Sequence, residues 1–275
     1  MRLPDEPDRL AFIEQHRPAL ERDEARHNIL LTIIGGMAAG AESNARHWTL
    51  GEGGACAVQT PPYPFVLGDL SEPQCHAFAE ATRDLDYPGV VGPDRTATWF
   101  AERAMDFGIA FQDTVPEQIH TLCSPPRYPG AAGRARKLDA GDAALFHDWL
   151  TAFVREAVPH DRQPTREQTA AMAADGRSMV WLVDGAPVSM ARIARQLKRT
   201  AAISQVYTPP ELRGRGYAGS VVAAVVERIF AEGRDTACLY TDMRNTFSNR
   251  CYAKIGFRPV CESRHIPRVV LPQTA

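Results

Sequence analysis

The sequence has no long apolar run. No hydrophobic stretch approaches the ~20 residues that a helix needs to cross a bilayer, so a membrane-spanning role is not expected. It also has no excess of either charge. The 31 basic and 33 acidic residues leave a formal net charge of −2, which gives no general footprint for nucleic acid or an anionic surface. Arginine far outnumbers lysine but is scattered along the chain. The cysteines at 56, 75, 123, 238, 251 and 261 form no C-x-x-C pair. Zinc binding and a disulfide framework are therefore not expected, and these cysteines read as small buried hydrophobes. The eight histidines are dispersed, with no H-x-x-x-H helix, so no metal site is expected. The opening MRLPDEPDRL is acidic and broken by proline, unlike a signal peptide. The expectation is a cytoplasmic chain.

What is present is an ordinary globular composition, 44% hydrophobic over 275 residues, enough for one large domain or two small ones. The most informative stretch runs from Ala201 to Phe257. An apolar strand, Ala201 to Val206, enters a turn containing Pro209 and Pro210. The loop Arg213-Gly214-Arg215-Gly216-Tyr217-Ala218 follows. Its glycines permit positive φ and close approach of a ligand to the backbone. Behind it Val221, Val222, Val225, Val226, Ile229 and Phe230 recur at helical spacing. The loop thus opens a helix whose first N–H groups lack internal partners. Those groups and the positive end of the helix dipole favour a phosphate-like anion, and Arg213 and Arg215 could add charge.

A basic turn that merely caps a helix would look similar. Gly214, Gly216 and Gly219 also spell G-x-G-x-x-G, with Asp242 near where a ribose-binding acid would stand. A dinucleotide fold, however, places its glycines almost directly after the strand, whereas Thr208 to Arg213 intervene here, and too little chain remains for a large parallel sheet.

Arg213-x-x-Gly216-x-Ala218 resembles the R/Q-x-x-G-x-G/A loop of the GNAT superfamily of N-acetyltransferases. Downstream, Asn245-x-x-Ser248-x-x-Cys251-Tyr252-x-Lys254-x-Gly256-Phe257 is similar to that family's N-x-x-S/A-x-x-hydrophobic-Tyr-x-K-x-G-F segment, with Cys251 where Leu or Ile is usual. The resemblance covers roughly the C-terminal half. It implies that the amides of Arg213 to Gly219 hold the pyrophosphate of acetyl-CoA. It also implies that Val206 and Thr208 pair with the pantetheine arm, with Tyr207 between them. Strand alternation sends the Tyr207 side chain to the opposite face. Tyr252 matches the family's general acid, and Asn245 and Asn249 either contact the cofactor or cap the short helix. Glu211, Asp242, Glu156 and Glu167 are candidate bases, and none is singled out. The reaction implied is acetyl transfer to a primary amine by direct attack on the thioester. A CoA-binding regulatory protein without turnover is the alternative.

The rest of the chain reads as helices over about 8–21 and 22–39, strands at 46–50, 55–60 and 65–67, and a helix from Ser71 to about Asp84. A strand at 89–92, a helix at 94–105 and paired strands at 107–113 and 118–123 follow. Residues 124–133 form a Pro/Gly-rich connector. After it come a strand at 135–138, helices to about Val158 and Ala174, and a hairpin of 178–183 with 186–195 around Asp184-Gly185. Strands at 258–264 and 267–271 end the chain. The expected class is α/β (α+β), with a mixed, mostly antiparallel sheet flanked by helices. The expected domains are 1–123, degenerate and without cofactor, and 134–275, catalytic. The two share an element order that suggests a tandem of such domains, against the alternative that the first is an unrelated α/β domain. Where the second has its glycine loop, the first has Phe65-Val66-Leu67-Gly68-Asp69-Leu70-Ser71, with no arginine and no Gly-x-Gly.

Overall fold

The computed structural model describes residues 6–159 and 162–269. They divide into two compact units. The first comprises the chain to Ile119, Asp242–Arg244 and the chain from Val260. The second comprises His120–Thr241 and Asn245–Pro259.

In the first unit, helices α1 (Glu6–Leu20) and α2 (Asn28–Ala38) precede strands β1 (Arg46–Thr49), β2 (Cys56–Gln59) and β3 (Phe65–Leu67). Helix α3 (Glu72–Thr82), strand β4 (Gly89–Pro93), helix α4 (Asp94–Met105) and strand β5 (Val115–Leu122) follow. β1, β2 and β3 pair antiparallel, and β3 pairs parallel with β4. Ser71 and Gln74 form a capping box at the start of α3, with the Ser71 N–H donating to the Gln74 side chain at 2.8 Å. Phe65, Phe78, Tyr87 and Phe100 fill the core with tilted and edge-on ring contacts.

In the second unit, strand β6 (Arg134–Lys137) leads to helices α5 (Ala143–Ala157) and α6 (Arg166–Ala174). Strands β7 (Ser178–Val183), β8 (Ala186–Gln196) and β9 (Thr200–Tyr207), helix α7 (Tyr217–Ala231), strand β10 (Thr236–Asp242) and helix α8 (Thr246–Ile255) follow. The final strand is β11 (Arg258–Pro267). β6 to β9 pair antiparallel in sequence, and β10 joins β9 in parallel. Asp184 (φ 50°) and Gly185 (φ 81°) make the tight turn between β7 and β8. Helices cover both faces. Val221, Val222, Val225, Val226 and Ile229 of α7 pack on Ile193, Ile203 and Leu239. On the other face Phe146, Leu150 and Val154 of α5 pack on Val180, Met190 and Tyr207. Apart from its exposed Glu227, α7 is buried through most of its length, which explains why nearly every position is apolar.

Three expectations change. Residues 107–113 are not a full strand. Gly108 takes φ 79° and closes α4, leaving a bridge of Phe111 to Arg268 flanked by Gln112 N–H to Pro267 O and Val269 N–H to Ala110 O. The chain end holds one strand, β11, rather than two, because Ser263 to Pro267 pair without a break along β4; residues 270 and 271 lie outside the described residues. The compact units also do not divide at the connector. β11 joins β4 in the first unit, while residues 120–122 of β5 belong to the second, where Leu122 enters the core. The reason is the sheet: a strand belongs to the edge on which its amides find carbonyls, whatever its order along the chain.

The connector is anchored rather than loose. Arg127 N–H donates to Ile255 O at 2.8 Å, the Tyr128 hydroxyl to Glu227 at 2.7 Å, and Trp181 Nε1 to Ala132 O at 2.9 Å.

Candidate functional site at the bulged strand and glycine loop

The site is built where β9 leaves the sheet. Its parallel register with β10 runs from Thr200–Ile203 against Thr236–Leu239. Beyond Ile203 the residues of β9 pair only with β8, and there with a bulge: Ser204 faces Arg192, while Tyr207 faces Met190. Between those pairs two residues of β9, Gln205 and Val206, therefore oppose one of β8, Ala191, and Gln205 takes φ 54° to absorb the extra one. A left-handed backbone at a non-glycine residue costs about 1–2 kcal/mol. The bulge sets the side-chain directions. Val206 packs against the α7 core and Tyr207 enters the core under α5, the opposite-face arrangement that alternation predicts.

Ser189 on β8 fixes this segment. Its buried hydroxyl donates to Tyr207 O at 3.0 Å and lies 2.8 Å from the Thr208 hydroxyl. Sequence reasoning passed over Ser189 and Gln205. Their strands also carry Arg192 and Arg195 on β8 and Thr200 and Ser204 on β9, so polarity alone would not have marked them.

After Pro209 a short 3-10 turn, Pro210–Leu212, separates the strand from the loop, so the glycines do not directly follow the strand as a dinucleotide fold requires. Gly214 (φ 78°) and Gly216 (φ 82°) use the positive φ expected of them, and Gly216 is the N-cap of α7. Among the described residues, the amides of Gly214 through Gly219 have no backbone acceptor, whereas the next one, Ser220 N–H, closes onto Gly216 O. Arg213 to Gly216 are exposed. This is a set of donors at the positive end of a 15-residue helix. Gly219 is small for a different reason: a Cβ there would sit 2.6 Å from Pro129 Cγ of the connector.

The arginines are engaged. Arg213 Nε donates to Thr208 O at 2.9 Å, and its Nη2 reaches Glu156 at 2.6 Å. Its guanidinium carbon lies 5.8 Å from the Tyr207 ring centroid. Arg215 makes a longer bond to Glu211 O, 3.4 Å. The Tyr207 hydroxyl lies 3.5 Å from Glu156. Burial and then the Glu156 charge raise its pKa.

Tyr252 lies in the α7 core beside Phe257, with ring centroids 6.0 Å apart. Burial pushes its pKa well above the usual phenol value, with a smaller push from Cys251. It is therefore a proton-bearing hydroxyl throughout the neutral range. Asn245 Oδ1 accepts from Ser248 N–H at 3.1 Å and so caps α8, the structural of its two expected uses. Asn249 lies on the same helix and its N–H bonds Asn245 O.

Among the candidate bases, Asp242 is held by Arg244 through its side chain and N–H, and falls in the first unit. Glu156 is paired to Arg213. Glu211 is exposed on the outer side of the loop turn and Glu167 is exposed on α6.

The matching stretch of the first unit is closed. Gly68 N–H donates to Cys56 O, Asp69 N–H to Gly54 O, and Ser71 N–H to Gln74. Burial pushes the Asp69 carboxyl up, but bonds from His27 and Arg26 outweigh it and hold its pKa at about 2. Among the cysteines, Cys56, Cys75 and Cys238 are buried as expected, but Cys123 is exposed. Among the described residues no group of three His, Cys, Asp or Glu side chains could hold a metal ion, and no helix is long and apolar enough to cross a membrane.

The mixed sheet, with its bulged strand running through a glycine loop into a buried helix, is GNAT-like in fold. Residues 143–257 match the acetyltransferase (GNAT) family model. The fold likeness extends further. A Drosophila protein solved by X-ray crystallography is 13% identical, with 98% of each chain covered and a TM-score of 0.68. A GCN5-related N-acetyltransferase from Kribbella flavida is 12% identical over 88% of this chain and 97% of its own, with a TM-score of 0.59. A GNAT-family acetyltransferase from Colwellia psychrerythraea is 10% identical over 92% and 97%, with a TM-score of 0.52. Among curated proteins none matches the sequence.

Proposed function

We propose that this protein is an acetyl-CoA-dependent N-acetyltransferase acting on a primary amine, with its site in the second unit. The observation that carries the reading is the run of unpartnered amides from Gly214 to Gly219 beside the bulged end of β9. The GNAT family match over the same residues supports it.

These residues suit acetyl-CoA. The loop offers N–H donors for a pyrophosphate and no side chain at Gly214 or Gly216 to block approach. Val206 lies on the stretch of β9 released from β10, where its backbone is free to pair with an extended pantetheine arm. Thr208 follows it, its hydroxyl held by Ser189 and its carbonyl by Arg213, so the segment is rigid before ligand arrives. When bound, acetyl-CoA supplies an acyl group as a thioester and, on transfer, leaves a thiolate that needs a proton. Tyr252 keeps a proton at its hydroxyl for that task. Its raised pKa makes it a weaker acid than an ordinary phenol but guarantees that the proton is present. Arg213 acts on this reading as a bracket between Thr208, Tyr207 and Glu156, and the loop amides carry most of the pyrophosphate binding.

The first unit is proposed as a tandem relative that no longer binds cofactor. The two units share the order of two helices, three strands, helix, strand, helix and strand, while the amides at Gly68, Asp69 and Ser71 are already spent.

The test is calorimetric titration with acetyl-CoA, followed by thiol release with a panel of primary amines. Binding and amine-dependent thiol release are expected. Binding without release from any amine would favour the regulatory alternative, and no binding would refute the cofactor reading.

A further inference from the structure

Helix α8 carries a surface that the proposed function has not used. β9 and β10 run parallel, so the helices that follow them, α7 and α8, both begin past the same end of the sheet. The two helices also touch. A Cβ at Gly219, in the first turn of α7, would lie 3.4 Å from Cys251 Sγ of α8. Residues three and four apart share a helix face. Phe247 and Lys254 therefore lie on the Cys251 side of α8, with Arg250 between them, and Phe247 stands at the end nearest the glycine loop. Phe247 is 84% exposed, the most exposed large hydrophobic side chain among the described residues. Arg250 and Lys254 are exposed, and their side chains make no hydrogen bond or ion pair among the described residues. α8 has no acidic residue to neutralise them. Each feature alone is ordinary on a surface. Together, beside the free amides of the loop, they match one end of the proposed ligand.

The match is chemical. Beyond its pyrophosphate, acetyl-CoA continues into a ribose that bears an adenine and a 3′-phosphate. An adenine presents a π-face that stacks on an aromatic ring. A phosphate monoester is close to a dianion at neutral pH, and its oxygens accept strongly from guanidinium and ammonium N–H groups. Arg213 and Arg215 of the loop are already engaged, by Glu156 and by Glu211 O, whereas the two cations of α8 are free. We infer that α8 holds the 3′-phosphoadenosine end of acetyl-CoA, with Phe247 stacked on the adenine and Arg250 and Lys254 paired with the 3′-phosphate. This inference rests on the N-acetyltransferase reading above and adds a donor specificity. Acetyl-CoA is taken in preference to a thioester whose phosphopantetheine arm lacks the nucleotide.

The experiment is calorimetric titration of the full chain with acetyl-CoA and with 3′-dephospho-acetyl-CoA. The variants are Phe247→Ala and the double substitution Arg250→Ala/Lys254→Ala, all at exposed positions, with folding checked by circular dichroism. Wild type should bind acetyl-CoA about tenfold more tightly than the dephospho form. In the double variant the two donors should bind within about twofold of each other. Phe247→Ala should weaken both by about fivefold to tenfold and keep the ratio between them. Arg134→Ala/Lys137→Ala is the control, because it removes two cations from β6, four strands away from β10, and should leave the ratio as in wild type. Wild-type affinities for the two donors within about twofold, or a ratio that survives in the α8 double variant or falls equally in the control, would overturn the inference. Unchanged affinity for both donors in Phe247→Ala would overturn the stacking contact. In each of those outcomes acetyl-CoA still binds and the cofactor reading stands. Wild-type protein that binds no acetyl-CoA would overturn the cofactor reading and this inference with it.

Discussion

Asp69 shows how one residue can close a potential site. Its carboxylate accepts from Arg26 at 2.7 Å and from His27 at 3.0 Å. Its pKa in the folded state is held at about 2, below the usual carboxylate range. A depressed carboxyl stabilises the fold above its unfolded pKa and loses that stabilisation as pH falls toward the folded value. Asp69→Asn should therefore unfold more easily than wild type at pH 7, and the gap should shrink between pH 4 and pH 2. Urea unfolding at several pH values measures it, and a pH-independent gap would contradict the assignment. Tyr252 is the corresponding question in the second unit. Tyr252→Phe keeps the packing on Phe257 and deletes the hydroxyl. If that hydroxyl protonates the thiolate, single-turnover kcat should fall by roughly two to four orders of magnitude with acetyl-CoA affinity nearly unchanged. Near wild-type single-turnover rates would remove Tyr252 from the chemistry.

At the scale of elements, the loop and α7 act together. Gly216 at φ 82° forms the N-cap, and a Cβ there would lie 3.5 Å from Pro129 and Ala131. Gly216→Val places a branched residue in the left-handed region and should cost about 1–2 kcal/mol of stability. It should also weaken acetyl-CoA binding by obstructing the amides. Because the two effects mix, the informative partner is Gly214→Ala. Open space surrounds the Cβ position at Gly214, so an alanine there carries the strain of φ 78° but no clash and no branched side chain, and lost affinity, read by calorimetry on protein shown folded by circular dichroism, reports on the loop's shape and ligand approach. Unchanged affinity in both folded variants would mean that the loop does not hold the pyrophosphate. The loop was legible from its residues because glycine spacing and a following apolar helix are local features. The bulge was not. It depends on a mismatch of register between β9 and β8, and Gln205 carries no local signal of positive φ.

For the whole molecule, the strand assignments change what a fragment can do. A cut in 124–133 looks natural from its proline and glycine content. The structure instead gives residues from Val260 to the first unit and residues 120–122 to the second. Each half cut there lacks a closing strand. A fragment 134–275 expressed alone should leave β11 without β4 and should be largely insoluble or molten, while the same halves co-expressed should yield soluble protein. Size-exclusion chromatography with circular dichroism checks this. A well-folded, monomeric 134–275 would show that the closing strands are dispensable.

The sequence by itself determined most of the helix–strand order, the helix start at Ser71, the Asp184-Gly185 turn and the glycine loop. Each depends on residues within a few positions of one another, where propensity, capping and φ preference act. Only the tertiary structure decided which strands pair at the closing edges, that Arg213 is paired with Glu156 and that Ser189 holds Tyr207. Pairings of this kind join residues as far apart as Arg127 and Ile255 within the second unit and 183 positions apart within the first. They follow from where buried amides, carbonyls and charges find partners once the chain is compact, which no short stretch of sequence encodes.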